Sequence, residues 1–417
     1  MRSRSQSATL FFGVSARVMA VRIFRHGQRG PQSPGPGGGV AVDAARGRVI
    51  LTGDIILDVP GPAHWLSGIA PALRAAALAI GHLEVPHTLR GEELHGDVPA
   101  PGADPSHLAA LPEAGFGLLT LAGNHMADRG AEGIADTCAG LDALKLAHCG
   151  AGADLAGARR AAVAQAGGLR LAVLSYNLVG PENGWASTVR PGVAYLPVAT
   201  ADGSPVRPNA PLQALAPEAA ALLQEDIAAA RGRADRVIVA LHKGIVHTPA
   251  RLAPYERAAA AAAVQAGADL VVSHHAHLLR GLEFIDGVPV FHGLGNGCVV
   301  TTALSPAQDH PARAAWVERR KALFGFEPDP AYVYAPFHPD AVNAVLAVAE
   351  WPTPAASPRV GIIPVHVEAP GRPVLAEGAR AQAIVDYFLL ITRQAGLPPL
   401  MAQGPASSAA GEVWWLN

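Results

Sequence analysis

Short apolar runs rich in β-branched residues recur along the chain. Most of them stop at a residue able to ligate a metal or move a proton. Arg48 to Thr52 (RVILT) runs into Gly53-Asp54, and a second run closes on Gly81-His82-Leu83-Glu84 before Pro86 halts regular structure. Phe116 to Leu121 leads into Gly123-Asn124-His125, Val237 to Leu241 ends at His242, and Leu270 to Val272 leads to His274, His275 and His277. Continuous apolar runs mark parallel strands buried on both faces. Between them the period becomes helical, over about Gly68 to Ala76, Ile134 to Leu146, Pro217 to Arg231 and the alanine-rich Pro254 to Gln265. Strands alternating with helices predict an α/β fold, in which ligands bind outside the carboxyl ends of the strands. Asp54, Glu84, Asn124, His242, His275 and His277 all stand at such ends.

Further along, Val288 to His292 reads as a strand entering the Gly-rich turn Gly293-Leu294-Gly295-Asn296. Residues 305–345 read as an irregular excursion, Val360 to Val367 as a late antiparallel strand, and Arg380 to Gln394 as a closing amphipathic helix. The expected organisation is a leader and Pro/Gly-rich linker over 1–46, one domain over 47–400, and a patternless tail over 401–417. Arg17, Arg22 and Arg25 interrupt the leader, so no apolar run reaches the ~20 residues that span a bilayer. The leader also lacks the clean apolar core of a signal peptide.

Composition narrows the picture. The chain has 417 residues, 50% of them hydrophobic, which is ample for a large core. A formal net charge of -2 gives no field that would recommend nucleic acid as a partner. The 3 cysteines, Cys138, Cys149 and Cys298, are scattered and imply no disulfide framework, so a reducing compartment is expected. Neither Ser175 nor Cys298 has an evident triad around it.

The donor set points to a metal. Carboxylates at Asp54 and Glu84, the amide oxygen of Asn124 and imidazoles at His242, His275 and His277 together suit a divalent ion of the transition series. His125 is placed to act as a general acid or base, with Asp128 three residues on to fix its tautomer.

Gly53-Asp54, Leu83-Glu84-x-Pro86, EAGFGLLTLAGNHMADRG, His242-x-Gly244, GADLVVSHHAH and Leu294-Gly295-Asn296, in this order, resemble the CapA family, named for a capsular poly-γ-glutamate synthesis protein. That family belongs to the calcineurin-like metallophosphatase superfamily, and the resemblance covers roughly Val49 to Val300. It implies a four-layer αββα sandwich with one or two divalent ions, Mn, Zn or another, at the strand ends. Asp54 would match the first acid and Glu84 the acid able to bridge two ions. Asn124, His242, His275 and His277 would complete the ligands, with His274 an alternative. His125 would match the histidine that protonates a leaving group.

The chain departs from the pattern in three places. Ile56 stands where the superfamily commonly has a histidine after Asp-x. Lys243 and Ile245-Val246 replace a tryptophan and an acid found in many members. His292 begins a segment that usually starts with tyrosine. Lys243 and His292 are therefore two added candidates for acid/base work.

The activity implied is metal-dependent, hydrolase-type chemistry on a peptide or anionic γ-glutamyl polymer, tied to poly-γ-glutamate or capsule synthesis. Phosphoester hydrolysis, peptide epimerisation as in lasso-peptide pathways, and a non-catalytic accessory role in a capsule complex are the alternatives. Many members carry an N-terminal anchor or signal, and its absence here predicts a cytoplasmic protein with no membrane span.

Overall fold

The computed structural model describes residues 47–95, 97–98, 100–304, 309–353 and 356–417. The leader and linker expected over 1–46 lie outside the described residues. Two large sheets organise the rest. The first runs, in spatial order, through Ala402–Ser408, Gly411–Leu416, Arg359–Glu368, Asn343–Glu350, Arg48–Leu57, Leu78–Leu83, Phe116–Thr120 and Ala147–Cys149. Asn296–Val300 pairs with Arg48–Leu57 at the candidate site. The second runs through Leu279–Ile285, Val288–Leu294, Leu270–His275, Arg236–Lys243, Leu169–Asn177 and Ala162–Ala166.

Alternation along the strands stacks these sheets. Val49, Leu51, Ile80 and Leu118 of the first sheet share one core with Leu171, Val173, Ile238, Ala240, Leu270 and Val272 of the second. The intervening residues face outward. Ile50, Ala79 and Leu119 meet Leu66, Leu111, Ile134 and Leu141, whereas Ala172, Leu174, Val237, Val239 and Val271 meet Ala219, Leu223, Ile227 and Ala259. Helices thus cover both outer faces, and the fold is the expected four-layer αββα sandwich. No helix among the described residues is long and apolar enough to cross a membrane.

Three segments differ from expectation. The first strand does not stop at Asp54 but continues to Leu57, because Ile55, Ile56 and Leu57 pair in parallel with Cys298, Val299 and Val300. Register slips on both sides of Asp54 mark the irregularity instead. Residues 305–345 contain a helix, Pro311–Phe324, that carries charges all round and so shows no apolar stripe to a sequence reader. Residues 402–416 form a hairpin paired with Arg359–Glu368, not a tail. Within that hairpin Trp414 and Leu416 enter the core between the sheets, while Val413 and Trp415 enter the outer one. Two adjacent tryptophans concealed this alternation.

Candidate metal centre

Strand alternation also decides which polar side chains meet. Ile80 faces the core between the sheets, so His82 follows it inward, and Ile238 and Ala240 bring His242 to the same space. Asp54 lies beside both, paired in register with His82 on one side and Asn296 on the other. The first strand reaches this position only because residue 53 is glycine. A Cβ there would lie 1.8 Å from the Gly295 carbonyl oxygen. His275 (φ 92°) and His277 (φ 55°) sit in the left-handed region that non-glycine residues avoid. The chain leaves its strand at this bend, and both rings arrive at the cluster.

Three groups of ligand atoms converge, each within 4.8 Å: Asp54, His82 and His242; Glu84, His242 and His275; Asp54, Glu84 and His277. His277 Nε2 is 3.6 Å from Glu84 Oε1, its Nδ1 is 3.5 Å from Asp54 Oδ2, and His242 Nε2 is 3.8 Å from Glu84 Oε1. Asn124 Oδ1 stands 2.7 Å from His242 Nε2, oriented by its Nδ2, which donates to Asp97 at 2.9 Å. His274 belongs to none of the three groups. It stacks on His82, ring centroids 4.5 Å apart, and its Nε2 donates to the Thr52 carbonyl at 3.1 Å.

These residues fit a divalent cation by their own chemistry. Both carboxylate oxygens of Glu84, both ring nitrogens of His275, Nε2 of His82 and Nδ1 of His242 are buried without a hydrogen-bond partner. Native structures leave few such groups unsatisfied without an ion, a water or a function to explain them. Burial, then the neighbouring Glu84 charge, pushes the Asp54 carboxyl well above its ordinary range. Burial, then the surrounding imidazoles, holds His82, His242 and His275 well below theirs. The rings are therefore neutral and offer lone pairs, as ligation requires.

Beside the cluster, His125 Nδ1 lies 2.7 Å from Asp128 Oδ2, which also accepts from the Ala100 amide at 2.5 Å. Burial works against a charge on His125. Asp128, then Asp97 and Glu84, overcome it and push the ring up to about 10. Burial raises Asp128 to about 6, opposed by His125. Asn124, His125, His275 and His277 line a cleft whose wall also includes Ile56, Val85, Val98, Val246, Trp316 and Phe337. None of the described residues lining it is Lys or Arg. Ile56, at the position of the missing histidine, is part of this apolar wall.

Lys243 and His292 do not line the cleft. Lys243 follows His242 on the same strand and so points to the opposite face. There its Nζ lies 3.3 Å from Glu256 and 3.2 Å from His292 Nδ1. His292 shares the face of Val290, packed toward the covering helix, and its Nε2 lies 2.9 Å from Glu283. Both sit in a buried charge cluster behind the sheet, so the expectation of two extra acid/base groups beside the metal is revised.

Four residues near the site escaped the sequence reading: His82, Asp97, His247 and Asn296. Asn296 Oδ1 lies 2.8 Å from His277 Nδ1, and the His247 ring, buried at φ 52°, faces His277 at 5.8 Å. His82 could have been found by counting two residues back from Glu84. Asp97 and His247 sit on loops, where no period guides the eye.

CapA, the capsule biosynthesis protein of Bacillus anthracis, is 30% identical over 191 residues, 45% of this chain and 41% of that protein. The PGA biosynthesis protein CapA of Bacillus subtilis (strain 168) is 27% identical over 235 residues, 55% of this chain and 54% of that protein. The chain thus matches only about half the length of these relatives. The calcineurin-like phosphoesterase YfkN from Bacillus subtilis superposes with a TM-score of 0.30 and 13% identity, over 84% of this chain and 97% of that one. The profile of the bacterial capsule synthesis protein family PGA_cap matches residues 44–299, which takes in every residue of the cluster from Asp54 to Asn296, and the chain belongs to that family.

Proposed function

We propose that this protein is a metal-dependent hydrolase that cleaves an amide of a γ-glutamyl or related peptide substrate, in the making or processing of a poly-γ-glutamate capsule. The observation that carries this reading is the set of buried, unpartnered carboxylate and imidazole atoms behind a cleft lined by Asn124, His125, His275 and His277, with His125 held by Asp128. Asp54, Glu84, Asn124, His242, His275 and His277 would hold one or two divalent ions, Mn²⁺, Zn²⁺ or another, shared between them. Once bound, such an ion polarises a substrate oxygen and supplies a nucleophile at neutral pH.

The chain's own residues move the proton. Asp128 takes the Nδ1 hydrogen of His125 in a hydrogen bond, which leaves Nε2 to deliver a proton to the departing amine. The Asp128 carboxylate beside it favours the protonated ring, the state a general acid needs.

The names of the two CapA relatives, capsule biosynthesis and PGA biosynthesis, support the γ-glutamyl class. With no Lys or Arg among the described lining residues, the cleft suits a short stretch around the scissile amide better than a polyanion gripped along its length. The same lack disfavours a phosphoester, and the epimerase alternative loses Lys243 and His292, the two groups that motivated it.

The test is amine release from γ-glutamyl peptides by metal-loaded and chelated protein, beside His125→Gln. Turnover should need the metal, and His125→Gln should lower kcat by ~10²–10⁴-fold with metal content unchanged. Equal turnover by the variant, or indifference to chelation, refutes the proposal.

A further inference from the structure

We infer that His82 is a ligand of a second cation position, formed with Asp54 and His242, which replaces the imidazole that Ile56 does not provide. This rests on the metal reading above. Ile56 faces the apolar wall of the cleft, so no imidazole comes from two residues along the Asp54 strand. The adjacent strand supplies one instead, because His82 pairs in register with Asp54. The ligand atoms of Asp54, His82 and His242 lie within 4.8 Å of one another.

The hydrogen bonding around His82 leaves the correct nitrogen free. The Thr120 hydroxyl donates to the Gly81 carbonyl at 3.3 Å, and its oxygen is 3.0 Å from His82 Nδ1. With the hydroxyl proton on the Gly81 carbonyl, its oxygen accepts from the imidazole, and in that arrangement Nδ1 carries the hydrogen and Nε2 the lone pair. That Nε2 is buried and has no partner. A ligating histidine has this arrangement: the second ring nitrogen donates to a fixed acceptor, which sets the tautomer and aims the first. The space before Nε2 is kept open by glycine, since a Cβ on Gly123 would come within 2.9 Å of it. A histidine present only to stack between His242 and His274 would need neither Thr120 nor that space. With imidazoles and a carboxylate as donors, the ion is a borderline divalent one such as Mn²⁺, Co²⁺ or Zn²⁺.

The experiment loads the full chain with Mn²⁺, dialyses it, and reads bound metal by mass spectrometry and spin coupling by electron paramagnetic resonance. Wild type should hold two equivalents with a coupled-pair signal, and His82→Phe, which keeps the ring stack, one equivalent with an isolated-ion signal. Thr120→Val, which removes only the acceptor of Nδ1, should bind the second ion ~10–100-fold more weakly by calorimetry, even where His82→Phe misfolds. Two equivalents in a folded His82→Phe, unchanged second-ion affinity in Thr120→Val, or a single equivalent in wild type overturns the assignment of His82. No metal in wild type overturns the metal reading as a whole, which separates the two failures.

Discussion

The buried charge cluster behind the second sheet predicts an unequal response to removing its two halves. Lys243, Glu256 and Arg280 have side chains with no solvent exposure. Glu256 is the shared anion. Its Oε2 accepts from Lys243 at 3.3 Å, its Oε1 from Arg280 at 3.3 Å, and Oε1 also accepts from the Ala253 amide at 2.8 Å, closing the N-terminus of the Pro254–Gln265 helix. Glu256→Gln leaves two cations in a dry environment without their common partner, and breaking a buried pair from one side costs ~3–5 kcal/mol. Lys243→Met keeps the Arg280–Glu256 pair and replaces a costly buried ammonium with an apolar chain of similar length, so the loss should stay below ~2 kcal/mol. Burial already lowers the Lys243 pKa, against the pull of Glu256, so in Glu256→Gln the lysine can shed its proton. That places the loss toward the lower end of the range without reversing the order. Urea unfolding of both single variants and the double variant at pH 7 reads the difference, with bound metal measured in parallel. A Lys243→Met loss as large as that of Glu256→Gln would refute the argument. So would a Lys243→Met variant of intact stability that no longer binds metal, since Lys243 would then serve the site after all.

Two further outcomes follow from the same geometry. Gly53→Ala should lower stability by more than ~3 kcal/mol and reduce metal uptake, because the new Cβ meets the Gly295 carbonyl at 1.8 Å and displaces Asp54. A change within ~0.5 kcal/mol of wild type would show that the strands can part there. Burial, against the hydrogen bond its Nδ1 donates to the Val85 carbonyl, lowers His87 from 6.5 to about 4. As pH falls through that window the unfolded chain takes up a proton that the native ring refuses, so stability present above 6.5 is lost toward 4, by up to ~3 kcal/mol from this residue. His87→Gln should flatten the pH dependence of urea unfolding by that amount, and parallel profiles for variant and wild type would contradict it.

What the sequence reveals and conceals has a physical logic visible at the site. Two helices could be read to the residue, Pro217–Arg231 and Pro254–Gln265, because each opens with a proline that fits the first turn and closes near a glycine. The apolar runs located the strands, and the strand ends located six donors. The misplacements come from direction, not position. His242 and Lys243 are neighbours in a strand and cannot face the same side, yet both read as site residues when only proximity is counted. Val290 and His292 share a face in the same way, and Val290 packs against the covering helix layer. Counting parity from Ile80 would have added His82, and counting it from Val239 would have removed Lys243. Parity has its own limit, because it governs a side chain only while the strand lasts. At His275 and His277 the backbone enters the left-handed region, and two rings that alternation from Val271 would have put together on the outer face converge instead on one cluster with Asp54 and Glu84. The motif carries this bend without displaying it. A strained backbone at two donors persists only where the surroundings hold it, and here the surroundings are the donors themselves: Asn296 on His277, and the Asp54 carboxylate, which accepts from the His275 amide at 3.2 Å.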